Sequence, residues 1–351
     1  MARIDMAVAN PNIRVAEKTL VAIETAIAAD QGSAFRGWLG KVIPHMDDAY
    51  RTGEDGFRTH MGASLIGGKC ARAVWYGFNW ARKPKFSGQT LRLFNRGHLE
   101  EARFIACLLT IGCRVVQQDE NGKQFRISEM GGHYGGSGDG LALGVPDLPP
   151  TTWALCEFKT HNNKSFEELA GKNFKKYIAH LFDSSKPYHP FDGQGVRAAK
   201  PEHYIQMQQY MRKMGLAAAL YVAVNKDNDC LYAEIVLLDE ATADEFLGRA
   251  HKLVPMRQAP AKMSETPGNF ECKWCDFYRI CHYNETPARN CRTCAYSRPD
   301  TETGKWMCDN KDRQIELLFP ATNPDGEDFS LTKERQLKGC NRYELSPAFK
   351  G

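Results

Sequence analysis

The apolar residues of this chain change their spacing along its length, and each change predicts an element. Residues 13 to 30 (IRVAEKTLVAIETAIAAD) carry apolar side chains at roughly helical spacing, which predicts an N-terminal helix packed on the body of the protein. The stretch to about Gly62 is mixed and predicts no particular element. Residues 97 to 111 (GHLEEARFIACLLTI) predict an amphipathic helix opening at Gly97, with Glu101 in line with Ile105 and Leu108 at i, i+4 and i+7. A carboxylate on that buried side is costly unless it is paired or bound to metal. Short runs of strand character lie on either side of Pro146, Pro149 and Pro150. Their pairing as a hairpin across a loop near residues 144 to 152 sets Asp139 opposite Glu157. Glu157 and Lys159 are two apart and share one strand face, while Cys156 and Phe158 point to the other. Residues 161 to 200, rich in Lys, Asn, His and Pro, read as loop with one helical piece. KPEHYIQMQQYMRKMGL then places Met207, Met211 and Met214 on one helical stripe and Gln206 and Tyr210, four apart, on the next; ALYVAV and CLYAEIVLL follow as strands.

The chemistry concentrates between Gly135 and Thr160, where a glycine-flanked Asp139 precedes the EFK run Glu157, Phe158 and Lys159. An acid and a base side by side on an otherwise buried strand need something to bind, and Mg²⁺ suits carboxylate oxygens, water and phosphate oxygens. The plain alternative is a solvated hairpin edge on which Glu157 and Lys159 pair with each other.

At 351 residues the chain exceeds the usual single domain. The reading is an N-terminal helical segment over 1–60, a core over 61–265 and a Cys-rich region over 266–351. Hydrophobic residues make 42% and charged residues 25%, as in an ordinary globular protein, so a disordered or fibrous chain is excluded. No apolar run is long enough to cross a bilayer, and MARIDMAVANPN lacks the apolar core of a leader, so the expected location is the cytoplasm. Net charge is only +4, and any nucleic-acid surface must be a local patch. Gly67 to Arg96 provides one: Lys69, Arg72, Arg82, Lys83, Lys85, Arg92 and Arg96 occur with no Asp or Glu, interleaved with Trp75, Tyr76, Phe78, Trp80 and Phe86. Cations for phosphates and flat rings for bases are what a single-stranded nucleic acid needs; core aromatics among solvated cations are the competing reading. Lys172, Lys175 and Lys176 extend the basic surface or form a solvated face.

Twelve cysteines without an export signal read as metal ligands and buried thiols. Cys107, Cys113, Cys156 and Cys230 stand in apolar contexts and read as packing residues. CKWCDFYRIC supplies Cys272, Cys275 and Cys281, one ligand short of a four-thiolate site. Cys291, Cys294, Cys308 and Cys340 compose a small zinc module, with His282 either a substitute for Cys340 or an exposed residue beside the group of Cys272, Cys275 and Cys281. A second grouping, Cys272, Cys275, Cys291 and Cys294, has the spacing of a zinc ribbon but leaves Cys281 over.

GDG followed by EFK resembles the core of the PD-(D/E)XK nucleases. Gly97 and Glu101 match the GxxxE helix of the lambda-exonuclease-like members, and Gln206 and Tyr210 match the QxxxY of RecB, AddB and the CRISPR-associated adaptation nucleases. The resemblance covers about residues 60 to 310 and extends to predicted bacteriophage nucleases. It implies an α/β core, a central mixed sheet flanked by helices with the site at the edge of the hairpin. It also implies Mg²⁺ or Mn²⁺ held by Glu101, Asp139, Glu157 and the carbonyl of Phe158, and a Lys159 that positions or helps deprotonate the attacking water. Gln206 and Tyr210 would contact the DNA strand and brace the site, with Arg72, Arg96, Lys172 and Lys175 as further DNA contacts. His98 is a second metal-side candidate whose position directly after Gly97 departs from the relatives. Iron-sulfur members complete their cluster with a lone upstream Cys, the place of Cys70 here, so Cys70, Cys272, Cys275 and Cys281 would hold a 4Fe-4S cube. The implied activity is a DNA exonuclease acting on single strands or ends in phage DNA processing. A nicking or structure-specific endonuclease and a non-enzymatic zinc-containing nucleic-acid-binding protein are the alternatives.

Overall fold

The computed structural model describes residues 13–50, 56–120, 124–312 and 330–349. The N-terminal stretch 1–12, read above for its lack of an apolar leader core, lies outside the described residues. The described chain forms a mixed α/β structure in two compact units. The first takes its residues from Met1–Gly53, Phe86–Arg126 and Ser137–Ala243; the second takes them from Glu54–Lys85, Ile127–Gly136 and Asp244–Gly351. Among the described residues no helix is long and apolar enough to cross a membrane.

The first unit is built on a five-stranded sheet. Strands β1 (Arg114–Val116), β2 (Gly140–Leu143), β3 (Ala154–His161), β4 (Ala218–Asn225) and β5 (Leu231–Leu237) lie side by side in that order. Only β3 and β4 are parallel, and the other three pairs are antiparallel. A parallel neighbour requires a crossover, and residues between β3 and β4 supply it. The sheet is flanked by helices α1 (Glu17–Ala29), α2 (Ser33–Val42) and α3 (Gly88–Thr110), and by the crossover helices α4 (Asn163–Ala170), α5 (Phe174–Phe182), α6 (Gly195–Ala199) and α7 (Pro201–Met214).

The expected hairpin is present, with Gly140 paired to Cys156 and Ala142 to Ala154. Gly140 has φ +152, and a Cβ there would stand 3.1 Å from the carbonyl oxygen of Val116, so the residue after Asp139 is glycine for a local steric reason. Phe158 stacks on Phe104 of α3 at 5.1 Å, so this face of β3 packs on the helix that also carries Glu101, while Glu157 and Lys159 alternate to the other face. Before α1 the backbone of Arg14 to Ala16 hydrogen-bonds to β5, covering the edge of the sheet.

Three expectations need correction here. The helix read as opening at Gly97 begins at Gly88, because Ser87 caps it by accepting from the amide of Thr90. The stretch from 161 to 200 holds three helices rather than one. Their larger buried residues, Phe166, Leu169, Phe174, Tyr177 and Val196, are few and scattered among lysines and asparagines, so the polar composition hides them. Cys230, read as a packing residue, is only half-buried, whereas Cys107, Cys113 and Cys156 are buried and burial raises their thiols, to about 12 for Cys107 and about 11 for Cys113.

The second unit gathers its aromatic residues around the helix Ala71–Phe78: Trp75 and Tyr76 pack with Ala81, Ile280 and Phe349, and Tyr76 stacks on Phe349 at 5.7 Å. Arg292 lies at its centre, 4% exposed, with its guanidinium 3.7 Å from the ring centroid of Trp80 and 4.5 Å from that of Trp306. It donates to the carbonyls of Phe78 (2.8 Å) and Thr59 (2.9 Å) and to Oε1 of Gln336 (2.8 Å), so one side chain ties three distant segments. Arg292→Met would leave those acceptors without the donor. At about 1–3 kcal/mol for each unsatisfied group, the expected loss is on the order of 3–5 kcal/mol. Urea unfolding of the full chain measures it, and a change below about 0.5 kcal/mol, the scale of an ordinary surface substitution, would mean that the fork is dispensable.

Candidate active site

On the Glu157 face of β3 the chain assembles acids around one lysine. Asp139, set just before β2, accepts from the backbone amide of Phe158 at Oδ2 (2.7 Å), which locks the acid against the strand that carries Glu157. Glu157 is fully buried and forms an ion pair with Lys159, while Gln206 on α7 donates to its other oxygen (3.3 Å). Glu101 on α3 is half-buried and stands 3.7 Å from Nδ1 of His98.

The charges of these groups report their proximity. Burial pushes Glu157 up to about 7, with Asp139 and Glu101 adding to the rise and Lys159 opposing it. Glu101 is raised as well, first by burial and then by Asp139, with His98 and Lys159 opposing. Burial works against charge on Lys159, but Glu157, Asp139 and Glu101 outweigh it and hold its ammonium above the ordinary lysine value. The arrangement is therefore an excess of carboxylate oxygens around one cation.

Among the described residues no group of three or more His, Cys, Asp or Glu stands assembled to hold a metal ion. The donor chemistry still fits a hard divalent cation: carboxylates that raise one another's pKa in a buried place lack positive charge, and their oxygens are what Mg²⁺ or Mn²⁺ prefers.

Tyr210 is 2% exposed and Gln206 is buried, so both suit bracing of α7 and Glu157; burial argues against the expected contact of Tyr210 with a DNA strand. Of the basic aromatic segment, Trp75, Tyr76, Phe78 and Trp80 are core residues. Arg72 is also withdrawn: it is 8% exposed, and its Nε donates to the carbonyl of Pro260 (2.6 Å). Lys83, Lys85, Arg92 and Arg96 are exposed, as are Lys172 and Lys175, and Phe86 (48% exposed) packs edge-on to exposed Phe94 at 5.1 Å.

In the second unit the cysteines surround two separate cavities. Cys70, Cys272, Cys275 and Cys281 line one, together with Arg72, Tyr76 and His282. Burial raises the thiols of Cys272 and Cys275, and the charges of Cys70 and Cys281 add to the rise. Cys291, Cys294, Cys308 and Cys340 line the other with Ser297, Arg335 and Arg342. The ribbon grouping of Cys272, Cys275, Cys291 and Cys294 would draw its two pairs from different cavities. His282 lines the first cavity, beside Cys272, Cys275 and Cys281, and does not substitute for Cys340 in the second. Each cavity also contains a buried polar atom that lacks a hydrogen bond among the described residues, Nε2 of His282 in the first and Oγ of Ser297 in the second. Thiols are the soft donors that zinc and iron-sulfur groups take, so the lining of each cavity fits such a group in kind, although among the described residues the four cysteines do not stand assembled as ligands.

The sequence reading missed one polar set on the site face: buried His161 at the end of β3, buried Tyr221 on β4 and half-buried His203 on α7, joined through the Tyr221 hydroxyl. Histidine and tyrosine inside otherwise apolar strands were the available signal.

No protein-family profile matches the chain, and no curated protein matches it. Among solved structures, the exonuclease LHK-Exo in complex with dAMP shares 18% identity, with 56% of this chain and 86% of that one covered at a TM-score of 0.34. The alkaline exonuclease LHK-Exo from Laribacter hongkongensis shares 15% identity over 62% and 90% at 0.33. The protein SSO0001 shares 15% over 72% and 96% at 0.32.

Proposed function

We propose that this chain is a metal-dependent DNA nuclease of the PD-(D/E)XK type, an exonuclease acting on single-stranded or end-containing DNA. The observation that carries the reading is the convergence of Asp139, Glu157 and Lys159 on the hairpin, with Asp139 accepting from the amide between the other two. Glu101, Asp139, Glu157 and the carbonyl of Phe158 would hold Mg²⁺ or Mn²⁺, which when bound polarises a phosphate oxygen and lowers the pKa of a water. Glu157, Asp139 and Glu101 favour the charged form of Lys159, which would position the attacking water or help deprotonate it and balance developing negative charge. Gln206 fixes the Glu157 carboxylate. In the second unit, Cys70, Cys272, Cys275 and Cys281 would hold a 4Fe-4S cluster, and Cys291, Cys294, Cys308 and Cys340 a zinc ion. A role in phage DNA processing in a host cytoplasm belongs to the same proposal.

The test is digestion of linear, circular single-stranded and nicked DNA with Mg²⁺, Mn²⁺ or EDTA. Metal-dependent loss of linear DNA alone supports an exonuclease, and loss of circles supports internal cutting. No loss of any substrate would favour a non-enzymatic binding protein.

Exposure separates the two arginines expected to contact DNA. Arg96→Ala is expected to weaken DNA binding and to reduce the slope of log K against log salt by about 0.7–0.9, one phosphate contact. Arg72→Ala is expected to lower thermal stability and leave that slope alone, because its guanidinium serves the interior. Binding isotherms at several salt concentrations decide, and an unchanged slope for Arg96→Ala would place the DNA path elsewhere.

A further inference from the structure

Past Lys159, the same face of β3 carries His161, buried, with Nδ1 3.1 Å from Oγ of Ser165 and Nε2 2.9 Å from the hydroxyl of Tyr221. That hydroxyl also lies 3.1 Å from Nδ1 of His203. The rings stack, His161 on His203 and His203 on Tyr221, each at 5.9 Å. Tyr221 is the register partner of Glu157 on the parallel neighbour strand, and His203 lies one turn before Gln206 on α7, the residue bonded to Glu157. The chain of hydrogen bonds thus runs alongside the acids and ends at a half-buried imidazole.

The surroundings of both imidazoles favour the neutral form. Burial, then Lys200 and Lys159, lowers His161 to about 4; burial, then Lys159, His161 and Lys200, lowers His203 to about 3. A phenol has one proton, so of the two ring nitrogens at Tyr221 one must donate and the other accept. Only two arrangements satisfy the whole chain. In one, Ser165 donates to His161, His161 to Tyr221, and Tyr221 to Nδ1 of His203, which leaves the proton of His203 on Nε2. In the other every bond reverses, and Nε2 of His203 offers a lone pair.

We propose that His203 contacts bound DNA, its Nε2–H donating to a phosphate oxygen, and that Tyr221, His161 and Ser165 are positioning residues that supply this donor tautomer. This rests on the nuclease reading above. A phosphate oxygen only accepts, so it selects the first arrangement. A neutral N–H adds a directed contact beside Lys159 and Lys200 without the repulsion that a third cation would bring.

The experiment uses the full chain with a short single-stranded oligodeoxynucleotide, in Ca²⁺ for binding and Mg²⁺ for cleavage. His203→Phe is expected to raise Kd and KM about tenfold, the scale of one hydrogen bond to a charged group, with a smaller change in kcat. His203→Gln, whose amide donates from near the Nε2 position, should recover most of the loss. Imidazole ¹⁵N spectra should place the His203 proton on Nε2 in the wild-type complex and show both tautomers in Tyr221→Phe. Unchanged binding by His203→Phe, or a proton on Nδ1 in the complex, overturns the assignment while a cleaving wild type leaves the nuclease reading standing. A wild type that neither binds nor cuts DNA removes both. Thermal melts of the variants separate loss of contact from loss of fold.

Discussion

Lys159→Ala is expected to lower DNA cleavage by roughly 10³-fold, the scale seen when one preorganised charge-stabilising donor is removed, while DNA affinity stays within a small factor. The lysine ammonium is held charged by Glu157, Asp139 and Glu101, and it is 26% exposed at the side chain, so it can reach a bound water or phosphate. Most phosphate affinity should come instead from exposed cations elsewhere. Glu157→Ala should be as severe for a different reason: it removes a central carboxylate and strips Lys159 and Gln206 of their shared partner. Single-turnover cleavage with binding measured separately checks both. Near wild-type cutting by either variant in Mg²⁺ would show that the centre lies elsewhere.

The second large effect concerns colour and metal content. Protein purified without air is expected to be brown and to contain both iron and zinc, because two groups of four cysteines surround two cavities. Cys281→Ser should bleach the absorption and loosen the second unit, since Cys70 and Cys281 lie far apart in sequence and a cluster would join their segments. Cys291→Ser should lower zinc and leave the colour unchanged, as Zn²⁺ has a filled d shell and gives no visible band. Elemental analysis of wild type and both variants settles the matter. A colourless wild type with zinc alone would remove the iron-sulfur proposal and leave Asp139, Glu157 and Lys159 untouched.

Much of the site was legible before any fold was known, for a local reason. Period-two alternation puts Glu157 and Lys159 on one face whatever surrounds them, and the prolines and glycines between 138 and 152 allow little besides a hairpin. The helix carrying Gln206 and the strands β4 and β5 were legible for the same kind of reason, since their apolar periods are strong.

Burial decided the rest, and burial depends on what lies opposite in space. Arg72 and Arg96 look alike in a basic segment, yet one bonds inward to Pro260 and the other is exposed. The aromatics from Trp75 to Trp80 resemble a base-stacking surface until Arg292, more than 200 residues later, is found against Phe78 and Trp80, and Ile280 and Phe349 against Trp75 and Tyr76. The helices between 161 and 200 were hidden because a crossover helix needs only a narrow apolar edge against the sheet. Histidine and tyrosine in apolar strands stand out locally, but the joining of His161, Tyr221 and His203 does not. It exists because β3 and β4 pair in parallel, which brings residues 60 positions apart within 2.9 Å. Local periodicity determined which residues share a face; only long-range strand pairing and packing decided which faces meet, because those contacts depend on segments that carry no local record of one another.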